Sequence, residues 1–239
     1  MLSATEIVNL HDGQTRAGHS AVDLAARRRN VLKGHDFSRA ASAAQATGPL
    51  GPEGCSSEEP QPDSGWLALV RRQHQANFDL WHIEDEARAT GASDAELAAV
   101  KRRVDRTNQL RNDLAEELDR ALLAWLEPQG LPNPAAPLNS ESPGLMIDRL
   151  SILSLKIYHT REEAGRAGTP PGHAARNLDR LAILEEQRTD LAACLDALWR
   201  ETLAGTRRFK LYRQLKMYND PSLNPAIYRS SAHGESSGG

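Results

Sequence analysis

Cysteine is nearly absent from this chain: Cys55 and Cys194 are the only two in 239 residues. One lies in a polar stretch and the other inside a helical pattern, so neither a disulfide framework nor a zinc site of the thiolate kind is expected. An excess of charge of either sign is also lacking, with 29 Lys+Arg against 32 Asp+Glu and a net charge of −3. That balance excludes a general nucleic-acid partner, which requires a basic face; the triplet Arg27-Arg28-Arg29 reads as solvated side chains. No apolar run approaches the roughly 18 residues a membrane span needs. The opening residues, MLSATEIVNLHDGQ, lack the basic start and apolar centre of a signal peptide. The expected location is therefore cytoplasmic. Alternation of apolar and polar residues, the mark of a half-buried strand, is found nowhere. The glycine-rich phosphate loop, the dinucleotide fingerprint and the nucleophile elbow are all missing. No nucleotide cofactor can be named, and any cofactor stays unknown.

What is present is helix. Ser3-x-x-Glu6 is a capping box that opens a short helix to about Leu10. Residues 1–33 are read as this helix and an arm. Residues 34–64, AASAAQATGPLGPEGCSSEEPQPDSG and its flanks, are too poor in apolar groups to offset ordering entropy and read as a disordered linker. A helical bundle follows over 65–229, and 230–239 is a frayed tail. Within the bundle, Trp66, Leu69, Val70, Gln73, Asn77, Leu80, Trp81, Glu84 and Arg88 recur at helical spacing. Gly91 breaks that helix, and Ser93-x-x-Glu96 caps the next, whose stripe runs from Leu97 through Val104, Asn108, Arg111, Leu114 and Leu118 to Trp125. Ser142-Pro143 suits the start of a third helix. Its apolar residues lie on every side, which predicts a central position. The fourth runs from about Ala174 to Leu203, with Gly205 closing it. The basic segment TRRFKLYRQLK predicts a last short helix with Phe209 and Tyr212 inward, and the following residues a capping tail. The fold class is all-α: an antiparallel bundle of four long helices with a short N-terminal helix and a C-terminal capping segment.

Three of these helices carry polar residues on the faces that should be dry. The first bundle helix places Asn77, Glu84 and Arg88 beside Trp81, the second has Asn108 and Arg111, and the third has Asp148, Lys156 and His159. Burying an unpaired charge costs several kcal/mol or more, so these groups must pair with one another or line a wet pocket. The blocks that hold them, N-x-x-LWH-x-ED, N-x-x-RND, PG-x-x-IDRLSILSLKIYH and KMYNDPSLNP, together resemble the bacterial family known as domain of unknown function 4254. The resemblance implies a fold and a site but no reaction, and by association it points to cell-envelope or glycan pathways. A second uncharacterised family is similar, with its IDK-x-x-IL and LW-x-IED blocks in the opposite chain order. That implies one site shared by the first and third bundle helices.

The expectation is a pocket between helices for a small anionic or sugar-like metabolite. Glu84, Asp85, Asp148 and His159 are the acid–base candidates. Arg88, Arg111, Arg149 and Lys156 would hold the anion, and Asn77 and Asn108 would orient it. Lys216 and Asn219 would cover it. Whether a reaction follows binding, and whether the chain is a homo-oligomer, the sequence leaves open. No metal is expected. His82 and Glu86, and His159 and Glu162, can each share a helix face, but di-metal bundles want Glu-x-x-His twice. The rival reading is a non-catalytic scaffold or interaction protein whose buried ion pairs fix helix register.

Overall fold

The computed structural model describes residues 3–33, 65–88, 91–215 and 222–223. The expected linker over 34–64, the tail over 230–239, and Lys216 and Asn219 lie outside these residues. Five α-helices are found among the described residues: α1 (Ala4–Lys33), α2 (Gly65–Glu86), α3 (Asp94–Leu126), α4 (Pro143–Gly165) and α5 (His173–Leu203). The all-α expectation holds, and the chain forms a helical bundle.

The centre of the bundle is α4, which packs against each of the other four helices. Its sequence explains why. Met146, Ile147, Leu150, Leu153, Leu155 and Ile157 point to every side and are all buried, so no face of α4 could be turned wholly to water without loss. Neighbouring contacts run from α5 to α1, from α1 to α2 and from α2 to α3. The backbones of α3 and α5 stay apart, although the Trp125 and Trp199 rings meet at 5.7 Å between them. The outer helices therefore form an arc around α4 that leaves part of its surface uncovered.

The start of α4 is clamped from α3. Ser142 occupies the N-cap position with Pro143 in the first helical position, as expected. Its hydroxyl, however, does not cap the helix. It donates to Asp119 Oδ2 at 2.5 Å, and Asp119 Oδ1 accepts the Gly144 amide at 2.7 Å. A carboxylate from another helix thus satisfies the orphan amide and faces the positive end of the helix dipole. Gly144 is needed for this approach, because a Cβ there would lie 2.2 Å from the Ala115 carbonyl oxygen.

Three expectations require correction. The first helix is long, not short: α1 continues past Leu10 to Lys33. Its glycines argue against helix by propensity, but tertiary packing overrides them; a Cβ on Gly18 would sit 2.7 Å from the Phe78 ring. Ile7, His11, Thr15 and His19 form its buried stripe. Salt bridging by Arg188 to both oxygens of Asp12, at 2.9 and 3.0 Å, joins α1 to α5. Secondly, the basic segment after Gly205 is not helical. Arg208 makes a parallel bridge with Leu138, its amide donating to the Pro137 carbonyl and its carbonyl accepting from Asn139. Phe209 is buried there as expected, whereas Tyr212 is 36% exposed. Thirdly, Trp125 closes no dry stripe: it is 51% exposed, and its ring rests 5.7 Å from that of the buried Trp199. The Ser93 and Glu96 capping box of α3 is present in both directions.

Candidate functional site

The polar residues expected on dry faces separate into two groups once their surroundings are known. The first is a buried network. Arg111 on α3 reaches Asp148 on α4 through two bonds, Nε to Oδ1 at 2.8 Å and Nη2 to Oδ2 at 2.5 Å. Oδ1 also accepts from Gln73 Nε2 at 2.5 Å and from Asn77 Nδ2 at 3.0 Å, both on α2. The Arg111 side chain also approaches Asn108 Oδ1, at 3.5 Å. Asp148 is 5% exposed. Asp148 thus accepts from four donors, three on Oδ1 and one on Oδ2, and its carboxylate ties α2, α3 and α4 together. Arg111 is likewise engaged on the protein itself.

From Asn77 the network continues to α1. Asn77 Nδ2 donates to Ser151 Oγ at 2.9 Å, Ser151 Oγ lies 2.8 Å from His74 Nδ1, and His74 Nε2 lies 3.0 Å from Thr15 Oγ1. Thr15 donates to the His11 carbonyl at 2.9 Å, and the His11 and His74 rings stack at 4.7 Å. Thr15 spends its hydroxyl proton on that carbonyl, so it accepts from His74 Nε2–H. His74 Nδ1 then accepts from Ser151. One neutral tautomer satisfies every link. Burial holds His74 down to about 4 against its ordinary 6.5, with Asp12 opposing weakly. Burial also holds His11 well below that value, aided by His74 and Arg188.

The second group lines the uncovered side of α4. Three cavities lie there and share their walls. One of about 380 Å³ is bounded by Asn77, Trp81, Glu84, Asp85, Arg88, Arg111 and Ile152. One of about 720 Å³ is bounded by Glu141, Arg149, Ile152, Lys156, Asp190 and Cys194. The last, about 460 Å³, is bounded by Trp81, Lys156, His159, Glu163, Arg180 and Gln187. Ile152 borders the first and second, Lys156 the second and third, and Trp81 the first and third. They form one branched groove whose floor is the α4 stripe Arg149, Ile152, Lys156 and His159. The groove exists because α3 and α5 stay apart.

Glu84 and Arg88 stand at its mouth rather than on a dry face. Their side chains are 44% and 68% exposed and approach to 3.6 Å, while Asp85 is exposed. Arg149 pairs with Glu141 at 2.7 Å. Lys156 is exposed on the groove floor with no ion-pair partner among the described residues. His159 is half-buried and lies flat on Trp81, with ring centroids 4.6 Å apart and planes 5° from parallel. Burial lowers its pKa; the nearby Glu162 carboxylate works against that. Burial thus favours the neutral ring, the form able to take a proton.

The structure brings Asn77, Asn108, Arg111 and Asp148 together, gathers Glu84, Asp85, Arg88, Arg149, Lys156 and His159 along the groove, and does not describe Lys216 or Asn219. Sequence reading missed Gln73 and Ser151 as partners of this network, and all of the α1 contribution: His11, Thr15 and His19. The signal for the last three was their spacing by four residues, which continues the stripe begun at Ile7. No helix among the described residues is long and apolar enough to cross a membrane. No curated protein and no solved structure matches the chain significantly. Residues 67–211 match the family described as protein of unknown function, DUF4254, and since this is more than half of the chain, the protein belongs to that family.

Proposed function

We propose that the groove along α4 binds a small anionic or sugar-like metabolite. The observation that carries this reading is Lys156. It stands unpaired by any carboxylate among the described residues, at the junction of two cavities, with Arg149 on one side and the Trp81–His159 stack on the other. A lysine ammonium and arginine guanidinium suit phosphate or carboxylate groups, and the indole supplies an apolar wall for a sugar ring. Arg88 at the mouth adds a third cation. The branched shape favours a ligand with two parts, an anionic group near Lys156 and a second moiety extending towards Glu84 and Asp85. Those two carboxylates and the neutral His159 are the groups placed to move protons on a bound ligand; Asp148 and Arg111 support the walls instead.

A thermal-shift screen of the whole chain against nucleotide sugars, sugar phosphates and inorganic phosphate tests this. The expected result is a rise in Tm for at least one phosphorylated sugar, absent in Lys156→Ala. A flat response across the panel would favour the second reading, a non-catalytic scaffold. That reading draws its support from the Arg111–Asp148 network, which ties α2, α3 and α4 in one register.

A further inference from the structure

Five histidines come from three different helices into one seam: His11 and His19 from α1, His74 and His82 from α2, and His159 from α4. His74 is taken up in the buried network, and the His11 ring stacks on it. The other three surround a single point at the head of the groove. His19 and His159 aim their Nε2 atoms at each other across 3.2 Å. Their ring centroids are 4.7 Å apart. His82 lies 5.1 Å from His19 and 6.2 Å from His159, centroid to centroid, and its Nε2 is buried with no hydrogen-bond partner among the described residues. The Glu162 carboxylate, one turn along α4, is 3.3 Å from His159 Nδ1.

We propose that His19, His159 and Glu162 hold one divalent first-row transition-metal ion, with His82 beside it as a further imidazole. Each of the three offers a donor atom, and these atoms all lie within 4.8 Å of one another. Two nitrogens that bind one ion at about 2.0–2.1 Å in tetrahedral array sit roughly 3.3 Å apart, which is the separation already present between His19 and His159. Glu162 now approaches the other ring nitrogen, Nδ1, so to join an ion held at Nε2 its carboxylate must swing round the ring edge, and its side chain is 54% exposed. The Trp81 stack fixes the plane of the His159 ring, as a ligand ring needs. Two imidazoles and a carboxylate are a borderline donor set, suited to zinc, iron, cobalt or nickel rather than to magnesium or calcium.

The position gives such an ion a purpose. His159 also lines the 460 Å³ branch of the groove with Lys156 and Arg180, so an ion with only three protein ligands would face the groove through its open coordination positions. There it could bind a ligand oxygen or water directly, as ions in open sites do. Sequence spacing could not reveal this set, because His19 belongs to a helix separated from α4 by more than a hundred residues.

The metal alone is the probe, so the outcome is independent of the groove ligand. The full chain is stripped with chelator, desalted and titrated with Co²⁺, reading the visible d–d bands, and bound Zn²⁺ is then counted by ICP-MS after a second desalting. The expected result is one ion per chain, with low-symmetry Co²⁺ bands. His159→Gln abolishes both signals, Glu162→Gln weakens binding at least about tenfold, and His173→Gln, at the start of α5 and bonded to Glu163 rather than to the cluster, leaves binding intact. Glu162 is largely in solvent, so its variant keeps the fold, and unaltered thermal unfolding verifies this. Absence of stoichiometric ion in the wild-type chain, or equal binding by wild type, His159→Gln and Glu162→Gln, overturns the proposal.

Discussion

Arg111 and Asp148 face each other across the α3–α4 interface with two parallel hydrogen bonds, 2.8 and 2.5 Å long, and the carboxylate is nearly dry. A fork-on-fork ion pair of this kind is strong in geometry, yet its value lies less in net stability than in what its loss exposes. Arg111→Met leaves the Asp148 charge with two amides for partners. Loss of one member of a buried pair costs roughly 3–5 kcal/mol; Arg111 is 25% exposed in its side chain, so water recovers part of that. The expected destabilisation is about 2–3 kcal/mol by urea unfolding. A loss under about 1 kcal/mol would show that the network does not hold the three helices in register.

The pair at the groove mouth should behave in the opposite way. The Glu84 and Arg88 side chains are 44% and 68% exposed and 3.6 Å apart, and exposed i,i+4 pairs contribute about 0.3–0.5 kcal/mol. The double variant Glu84→Gln, Arg88→Met is therefore expected to unfold within about 0.5 kcal/mol of wild type. If the groove binds a phosphorylated sugar, the ligand-induced rise in Tm shrinks or vanishes. Large destabilisation with ligand response retained would assign these residues to the scaffold.

How far such distinctions were legible in the sequence depends on the length scale of the cause. Local chemistry was read correctly: the capping box at Ser93 and Glu96, proline at the first position of α4, and the apolar wrap that puts α4 in the centre. Periodicity set Arg111 and Asp148 on inward faces, but it did not make them each other's partners. What escaped notice was set by contacts between distant segments. α1 carries Gly13 and Gly18 and few large apolar residues, so propensity ended it early; the Phe78 ring that fits over Gly18 extends it. The strap around Arg208 has the composition of a helix but is drawn out by main-chain bonds to Pro137 and Asn139 and by the Arg208 Nε donating to the Ala136 carbonyl. Helical phase also assigned Arg88 to the dry side of α2. At the end of a helix there is no further neighbour to cover that side.

Gly144→Ala is a direct test of the α3–α4 clamp. The added Cβ would meet backbone, the Ala115 carbonyl at 2.2 Å, and the Asp119 carboxylate at 2.9 Å. Backbone cannot rotate away, so α4 must shift from α3 and the Asp119 cap must lengthen. Overpacking of this kind costs typically 1–3 kcal/mol, occasionally more, and a value near or above about 3 kcal/mol is expected here. The comparison is Gly13→Ala in α1, where nothing lies within 4 Å; there the change should be neutral or stabilising by up to about 1 kcal/mol. Equal effects at the two sites would mean that the close approach at Gly144 is not present in solution.

Acid should unfold the protein through the histidine seam. His74 titrates near 4 in the folded chain against 6.5 for an unhindered imidazole, and His11 is also lowered. Between those values the unfolded chain binds more protons than the folded one, so stability rises with pH across the window and is lost as pH falls from about 6.5 towards 4. A shift of this size at His74 corresponds to about 3 kcal/mol. Protonation also breaks the donor order: His74 Nδ1–H would face Ser151 Oγ, whose own proton then has no acceptor in the chain from Asn77 to Thr15. Asp119 acts with the other sign. Burial raises it from 3.8 to about 6 despite the bonds from Ser142 and Gly144, so its contribution is full below 3.8 and is lost as pH rises through about 6. The two opposing slopes overlap between about pH 4 and 6 and should flatten the wild-type profile there. Removing one of them unmasks the other. Neither ring nitrogen of His11 has a hydrogen-bond partner among the described residues, and leaving such groups unsatisfied costs about 1–3 kcal/mol. His11→Phe keeps a ring on His74, and is expected to raise stability at pH 7 by about 1 kcal/mol while weakening the acid loss. Asp119→Asn is expected to steepen the decline between pH 6 and 4, because the compensating carboxyl no longer titrates. Chemical denaturation at half-unit pH steps measures both; parallel curves for wild type and the two variants would show that the seam is not the acid-sensitive element.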